Sequence, residues 1–171
     1  MNQEKIKKVE KAVFLDRDGV INKDIGYLYK IQDFEWIPGA IDAIKLLKSK
    51  NFLIIIISNQ SGVERGFFEK KDVENLHSWI SNELNKQNTS IDDFFFSTEL
   101  PSKKLKRRKP SPKMVEEAVI KYNLNKNYCF MVGDKPSDVE CAKNADIKGY
   151  LFNEENLLLK IKEILKDLNF C

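Results

Sequence analysis

Asp16 and Asp18 flank Arg17 where the apolar run Ala12-Val13-Phe14-Leu15 stops, and Gly19 follows at once. Alternate residues of an extended chain point the same way, so the two carboxylates can emerge together at a strand tip. Glycine lets the backbone turn sharply beside them. Such a pair offers a divalent-metal ligand, a nucleophile and a general acid within one small volume. A solvated Asp/Gly turn would look the same in isolation, so other segments must decide. Arg17 alternates away from both acids, which predicts a surface or salt-bridge role.

Three more segments carry polar groups suited to that chemistry. Ser58-Asn59-Gln60-Ser61-Gly62 follows the apolar run Phe52–Ile57 and supplies hydroxyl and amide donors on a turn, fit to hold phosphate oxygens. Lys109-Pro110 precedes a helical segment and supplies a fixed positive charge. Gly133-Asp134-Lys135-Pro136-Ser137-Asp138 follows the run Tyr128–Val132 and adds acids and another cation. Asn59, Gln60, Ser61, Arg108 and Lys135 are candidate substrate contacts, as are Asp24 and Tyr27 in the loop after the first strand.

The elements that must position these groups alternate in type. Ala12–Leu15, Phe52–Ile57, Asp93–Phe96, Tyr128–Val132 and Gly149–Phe152 read as strands. Phe52–Ile57 is apolar on both faces, as a central parallel strand is. Helical spacing covers Ala40–Lys50, Glu69–Lys86, Ser111–Tyr122, Pro136–Ala145 and Asn156–Leu168, with Pro112 tolerated in a first turn. This order predicts an α/β fold: a doubly wound, Rossmann-like parallel sheet with helices on both faces. In such folds ligands bind beyond the carboxyl ends of the strands, where all four polar segments fall.

A chain of 171 residues suits one domain over 1–171. A net charge of +3 does not point to nucleic acid; the local exception is Lys103–Lys109, with six basic residues in seven. Cys129, Cys141 and Cys171 show no CxxC spacing and imply no disulfide framework. Met1–Lys11 lacks the apolar stretch of a secretory signal, and no run is long enough to span a membrane. The expectation is a cytoplasmic protein, monomeric, with neither membrane nor nucleic acid as partner. His77, beside Trp79 on a helix, is expected at the surface or the core edge. Phe94-Phe95-Phe96 is expected as strand core.

The order DxDG, Ser, Lys, GDxxxD resembles the haloacid dehalogenase-like phosphatases over nearly the whole chain. The nearer resemblance is to the branch of the D-glycero-D-manno-heptose-1,7-bisphosphate phosphatases and histidinol phosphatases. It is carried by Phe14–Asn22, Gly26-Tyr27, Pro38-Gly39, Ser58–Gly66, Arg108-Lys109-Pro110 and Met131–Lys135.

The resemblance implies a Mg²⁺-dependent phosphatase that works through an aspartyl-phosphate. Asp16 would be the nucleophile and Asp18 the general acid and base. One Mg²⁺ would be held by Asp16, the backbone carbonyl of Asp18 and Asp134, with Asp138 orienting its water shell. Ser58 and Lys109 would hold the transferring oxygens. The implied substrate is a small phosphorylated sugar, the 7-phosphate of a heptose 1,7-bisphosphate, in lipopolysaccharide or capsule precursor synthesis. Histidinol phosphate is the alternative, and a 3′-phosphate on nucleic acid a more distant one. With no room for a separate cap domain, the site should be open.

One departure from that branch is plain. Its usual structural zinc is held by a Cys-x-His and a Cys-x-Cys pair, and here Ser97, Glu99, Leu105 and Arg107 stand in those places. No structural zinc is expected. The basic run would instead face the open mouth, with Lys106, Arg107 and Arg108 supplying charge to a second phosphate.

Overall fold

The computed structural model of the protein describes residues 10–101 and 106–170. Lys103, Lys104, Leu105 and Cys171, and all but the end of Met1–Lys11, lie outside them.

Among the described residues, five parallel strands form one sheet: β1 (Lys11–Leu15), β2 (Phe52–Asn59), β3 (Asp93–Ser97), β4 (Phe130–Gly133) and β5 (Lys148–Leu151). Their order in space is β3-β2-β1-β4-β5, and every pairing is parallel. Between them run α1 (Ala40–Ser49), α2 (Lys70–Lys86), α3 (Lys113–Tyr122) and α4 (Pro136–Asn144), and α5 (Leu157–Asp167) closes the chain.

Strand alternation divides the core into two layers. Val13, Leu15, Ile54, Ile56, Phe130 and Val132 face α1, α2 and α5. Ala12, Phe14, Ile55, Ile57 and Met131 face α3 and α4. Both faces of β1 and β2 are therefore buried, which is why their sequences are apolar without interruption. The fold is the expected doubly wound sheet. Among the described residues, the stretch from β1 to α1 holds one 3-10 turn, Ile31–Asp33, with turns and the isolated bridges Asp18–Asn22 and Asn22–Trp36, and that from β2 to α2 only turns, so no cap domain intervenes. No described helix is long and apolar enough to cross a membrane.

Several boundaries move. β2 continues through Ser58 and Asn59, which pair with Phe96 and Ser97 and are strand residues, not a turn. Ser111 and Pro112 precede α3 instead of opening it, with Pro112 at the N-cap. Tyr128 ends a 3-10 turn, Lys126–Tyr128, ahead of β4. The chain leaves β1 toward β2 on one side and returns to β4 on the other, so a crevice opens between the ends of β1 and β4.

Candidate active site

Asp16 extends the β1 ladder by one bond, its N–H donating to Val132 O at 3.0 Å. The chain then turns tightly, with the N–H groups of Ile21 and Asn22 both donating to Arg17 O. Gly19 holds that turn with a φ of +88°, and a Cβ there would lie 2.3 Å from Asp134 Oδ2. A side chain at position 19 would push the two acidic segments apart. At the end of β4, Gly133 leaves room for the acid of its own segment, and a Cβ there would lie 2.4 Å from Asp138 Oδ2.

Lys109 is the centre of charge. Its side chain is buried, with Nζ 2.9 Å from Asp16 Oδ1, 2.6 Å from Asp138 Oδ1 and donating to Ile57 O at 2.8 Å. Burial works against its charge, but the two carboxylates outweigh it and raise its pKa. Asn59 fixes the main chain of Lys109 from both sides, its Oδ1 accepting from Lys109 N (3.0 Å) and its Nδ2 donating to Lys109 O (3.3 Å).

Asp16 Oδ1 also accepts the N–H of Arg17 at 2.7 Å, which leaves Oδ2 without a partner among the described residues. Burial pushes the Asp16 carboxyl up to about 7, against the pull of Lys109 and with the push of Asp138 and Asp18. Asp134 is raised as well, by burial first and then by Asp138, while Lys135 pulls the other way. Its Oδ1 is buried and has no hydrogen-bond partner among the described residues.

Carboxylate oxygens of Asp16, Asp134 and Asp138 lie within 4.8 Å of one another. Asp138 spends both of its own, one on Lys109 and one accepting Lys135 N at 3.0 Å at the start of α4. The bare oxygens of Asp16 and Asp134 are the donor set left over. Hard carboxylate oxygens suit Mg²⁺, so these residues fit that ion.

Asp18 is held from three directions. Arg17 grips it through Nε (3.2 Å) and Nη2 (2.9 Å), Asn22 Nδ2 donates at 2.9 Å and Gln60 Nε2 at 2.8 Å. Of the two roles expected for Arg17, the salt bridge holds, to Asp18, and the surface position does not. Its side chain is fully buried, also donating to Leu28 O at 2.8 Å, with Nη1 3.4 Å from His77 Nε2. Alternation predicts which way a side chain starts, and a side chain as long as arginine can fold back. Arginine carries only donors, so Nε2 of His77 is the acceptor and the ring is neutral. Burial first, then Arg17, lowers the His77 pKa to about 3.

The cavity above these groups has a volume of about 340 Å³. Asp16, Asp18, Asp24, Tyr27, Asn59, Gln60, Ser61, Arg108, Lys109, Lys135 and Asp138 all line it, as the sequence suggests. Ser58 and Asp134 do not. Ser58 is fully buried, with its Oγ accepting from Gln60 Nε2 at 2.6 Å. Lys135 is tied to Asp24 at 2.9 Å, and both belong to the wall. Burial opposes the charge of Asp24, but the bonds from Lys135 and from Gly26 N hold it below the usual carboxylate range.

Sequence reasoning misses Ser137, Asn22, Arg65 and the depth of Arg17. Ser137 lies inside the Gly133–Asp138 segment and lines the cavity. Arg65 sits over the Tyr27 ring, 5.9 Å from its centroid. The reading of Arg107 as a mouth cation is corrected. Its guanidinium bonds Glu117 (2.7 Å) and the carbonyl of Phe96, because a paired carboxylate lies within reach on α3. It lines a different groove, beside β3.

An acidic, cation-compatible centre at the switch point of a parallel sheet, with a buried lysine across it, is the site this fold builds. The chain belongs to the haloacid dehalogenase-like hydrolases, the family that matches residues 4–152. It is 38% identical over 164 residues to a D-glycero-beta-D-manno-heptose-1,7-bisphosphate 7-phosphatase of Rhodopseudomonas palustris, covering 92% of this chain and 91% of that protein. It is 40% identical over 144 residues to the alpha-anomer 7-phosphatase of Photorhabdus laumondii, covering 80% and 79%. The crystal structure of the D,D-heptose 1,7-bisphosphate phosphatase of B. bronchiseptica, complexed with magnesium and phosphate, superposes with a TM-score of 0.81 at 25% identity. That match covers 92% of this chain and 99% of that one.

Proposed function

We propose that this protein is a Mg²⁺-dependent phosphatase that removes the 7-phosphate of a D-glycero-D-manno-heptose 1,7-bisphosphate through an aspartyl-phosphate on Asp16. The observation that carries the reading is the Asp16 carboxylate at the tip of β1. One of its oxygens is held by Lys109, and carboxylate oxygens of Asp16, Asp134 and Asp138 gather within 4.8 Å of one another. The similarity to 7-phosphatases of both anomers supports the substrate class.

Asp16, Asp134 and the backbone carbonyl of Asp18 would hold the ion. Bound there, Mg²⁺ screens carboxylate from phosphate dianion and stabilises the charge that develops in transfer. The Asp16 carboxylate attacks phosphorus, and the bond from phosphorus to the sugar oxygen breaks. Asp18 gives the departing alkoxide its proton. A water then attacks the same phosphorus, Asp18 takes its proton, and the bond to Asp16 breaks. Lys109 neutralises charge on the transferring oxygens throughout, and Ser61 lies on the same wall to donate to them.

The test is a panel of phosphate esters with Mg²⁺, with both heptose bisphosphate anomers and histidinol phosphate included. The reading expects the highest kcat/KM on a heptose 1,7-bisphosphate. Preference for histidinol phosphate would keep the chemistry and overturn the substrate.

A further inference from the structure

Arg108 and Lys109 are adjacent in sequence and anchored by different means. Lys109 is tied to the sheet by Asn59, Ile57 O and the two acids. The segment before it is tied to a single carboxylate. Glu99 Oε2 accepts three successive main-chain N–H groups, from Lys106 at 3.2 Å, Arg107 at 3.0 Å and Arg108 at 3.0 Å. The carbonyl of Glu99 accepts Arg108 Nη1 at 3.0 Å.

Successive backbone amides that converge on one point make an anion-binding concavity, and here the chain supplies the anion. Burial pushes the Glu99 carboxyl up, but the three N–H bonds outweigh it and hold it below the usual range. Glu99 is in turn steadied by its neighbours. Its N–H donates to Ser97 Oγ at 3.2 Å, and Leu100 N donates to Glu64 Oε2 at 3.0 Å. With Arg107 turned to Glu117, Arg108 is the described cation of the basic run before Lys109 that lines the cavity.

We infer that Glu99 is a positioning residue, an internal anion that fixes the main chain of Lys106–Arg108 and so sets the Arg108 guanidinium at the cavity wall. The inference rests on the phosphatase reading in one respect only: what Arg108 serves there is the part of the substrate remote from Asp16.

Amide hydrogen exchange and steady-state kinetics of Glu99→Ala, Glu99→Gln, Arg108→Ala and the Glu99→Ala/Arg108→Ala pair test this. In Glu99→Ala, exchange at Lys106, Arg107 and Arg108 should speed up about tenfold or more, since each loses a charge-assisted bond. Lys109, held by Asn59, should exchange as before. KM for heptose bisphosphate should rise about tenfold, with kcat within roughly twofold. Glu99→Gln keeps a carbonyl acceptor and should recover much of both effects. The double variant should be no worse than Arg108→Ala alone. Unchanged exchange at 106–108, or multiplied losses in the double variant, would overturn the inference. Should the wild type fail to hydrolyse the bisphosphate, the exchange measurement still decides, so the two failures are distinguishable.

Discussion

Lys109 places its ammonium 2.9 Å from Asp16 Oδ1 from the far side of the sheet crossover, so a buried cation is built into the same contact that orients the proposed nucleophile. That cation also neutralises Asp138. Lys109→Met should therefore cost both activity and about 3 kcal/mol of stability, because it strands buried carboxylates without a counter-charge. Denaturant midpoints and turnover, measured together, check this. An active, equally stable variant would mean that the acids do not depend on it.

Asp16→Asn should abolish turnover and leave the fold intact, since the amide is a poor nucleophile. Acid quenching of wild type with substrate should trap a phosphoenzyme that the variant cannot form. Asp18→Asn should slow phosphoenzyme formation from a sugar phosphate by roughly 10²–10⁴-fold. The loss in that step should be smaller with p-nitrophenyl phosphate, whose leaving group needs no proton. Equal losses on both esters would assign Asp18 to another task.

Gly19→Ala should raise the Mg²⁺ concentration needed for half-maximal activity. Its Cβ would meet Asp134 Oδ2 at 2.3 Å, at a φ that side chains rarely adopt. Magnesium titration of variant and wild type measures the shift. Coincident curves would show that the approach of the two segments does not matter.

His77 gives a pH dependence of stability with a definite sign. Its folded pKa is about 3, against 6.5 unperturbed, so the unfolded chain binds the extra proton. Its contribution is full above pH 6.5 and is lost as pH falls toward 3. His77→Gln can still accept from Arg17 but cannot be protonated. The variant should lose less stability than wild type over that window, by a few kcal/mol on the order-of-magnitude scale of linkage. Parallel losses would remove His77 as the cause.

The sheet and its useful end were legible because buried parallel strands are apolar on both faces and because polar segments followed four of them. Asp16 and Asp18 after β1, Lys109 before α3 and Asp138 in the first turn of α4 come together at one cavity. What the sequence could not show was which cations were already spoken for. Arg107 looks like Arg108 in sequence, yet Glu117 takes one and the cavity keeps the other. Nor could alternation foresee Arg17 turning back on Asp18, or Glu99 collecting amides from seven to nine residues away. These are long side chains choosing partners across the fold, and local pattern carries no information on that choice.

The most direct test of the central claim is ³¹P NMR of heptose 1,7-bisphosphate incubated with the protein and Mg²⁺. The account predicts loss of the 7-phosphate signal, growth of inorganic phosphate and retention of the phosphate at carbon 1. Release of the carbon-1 phosphate, or no release at all from either anomer, would contradict it.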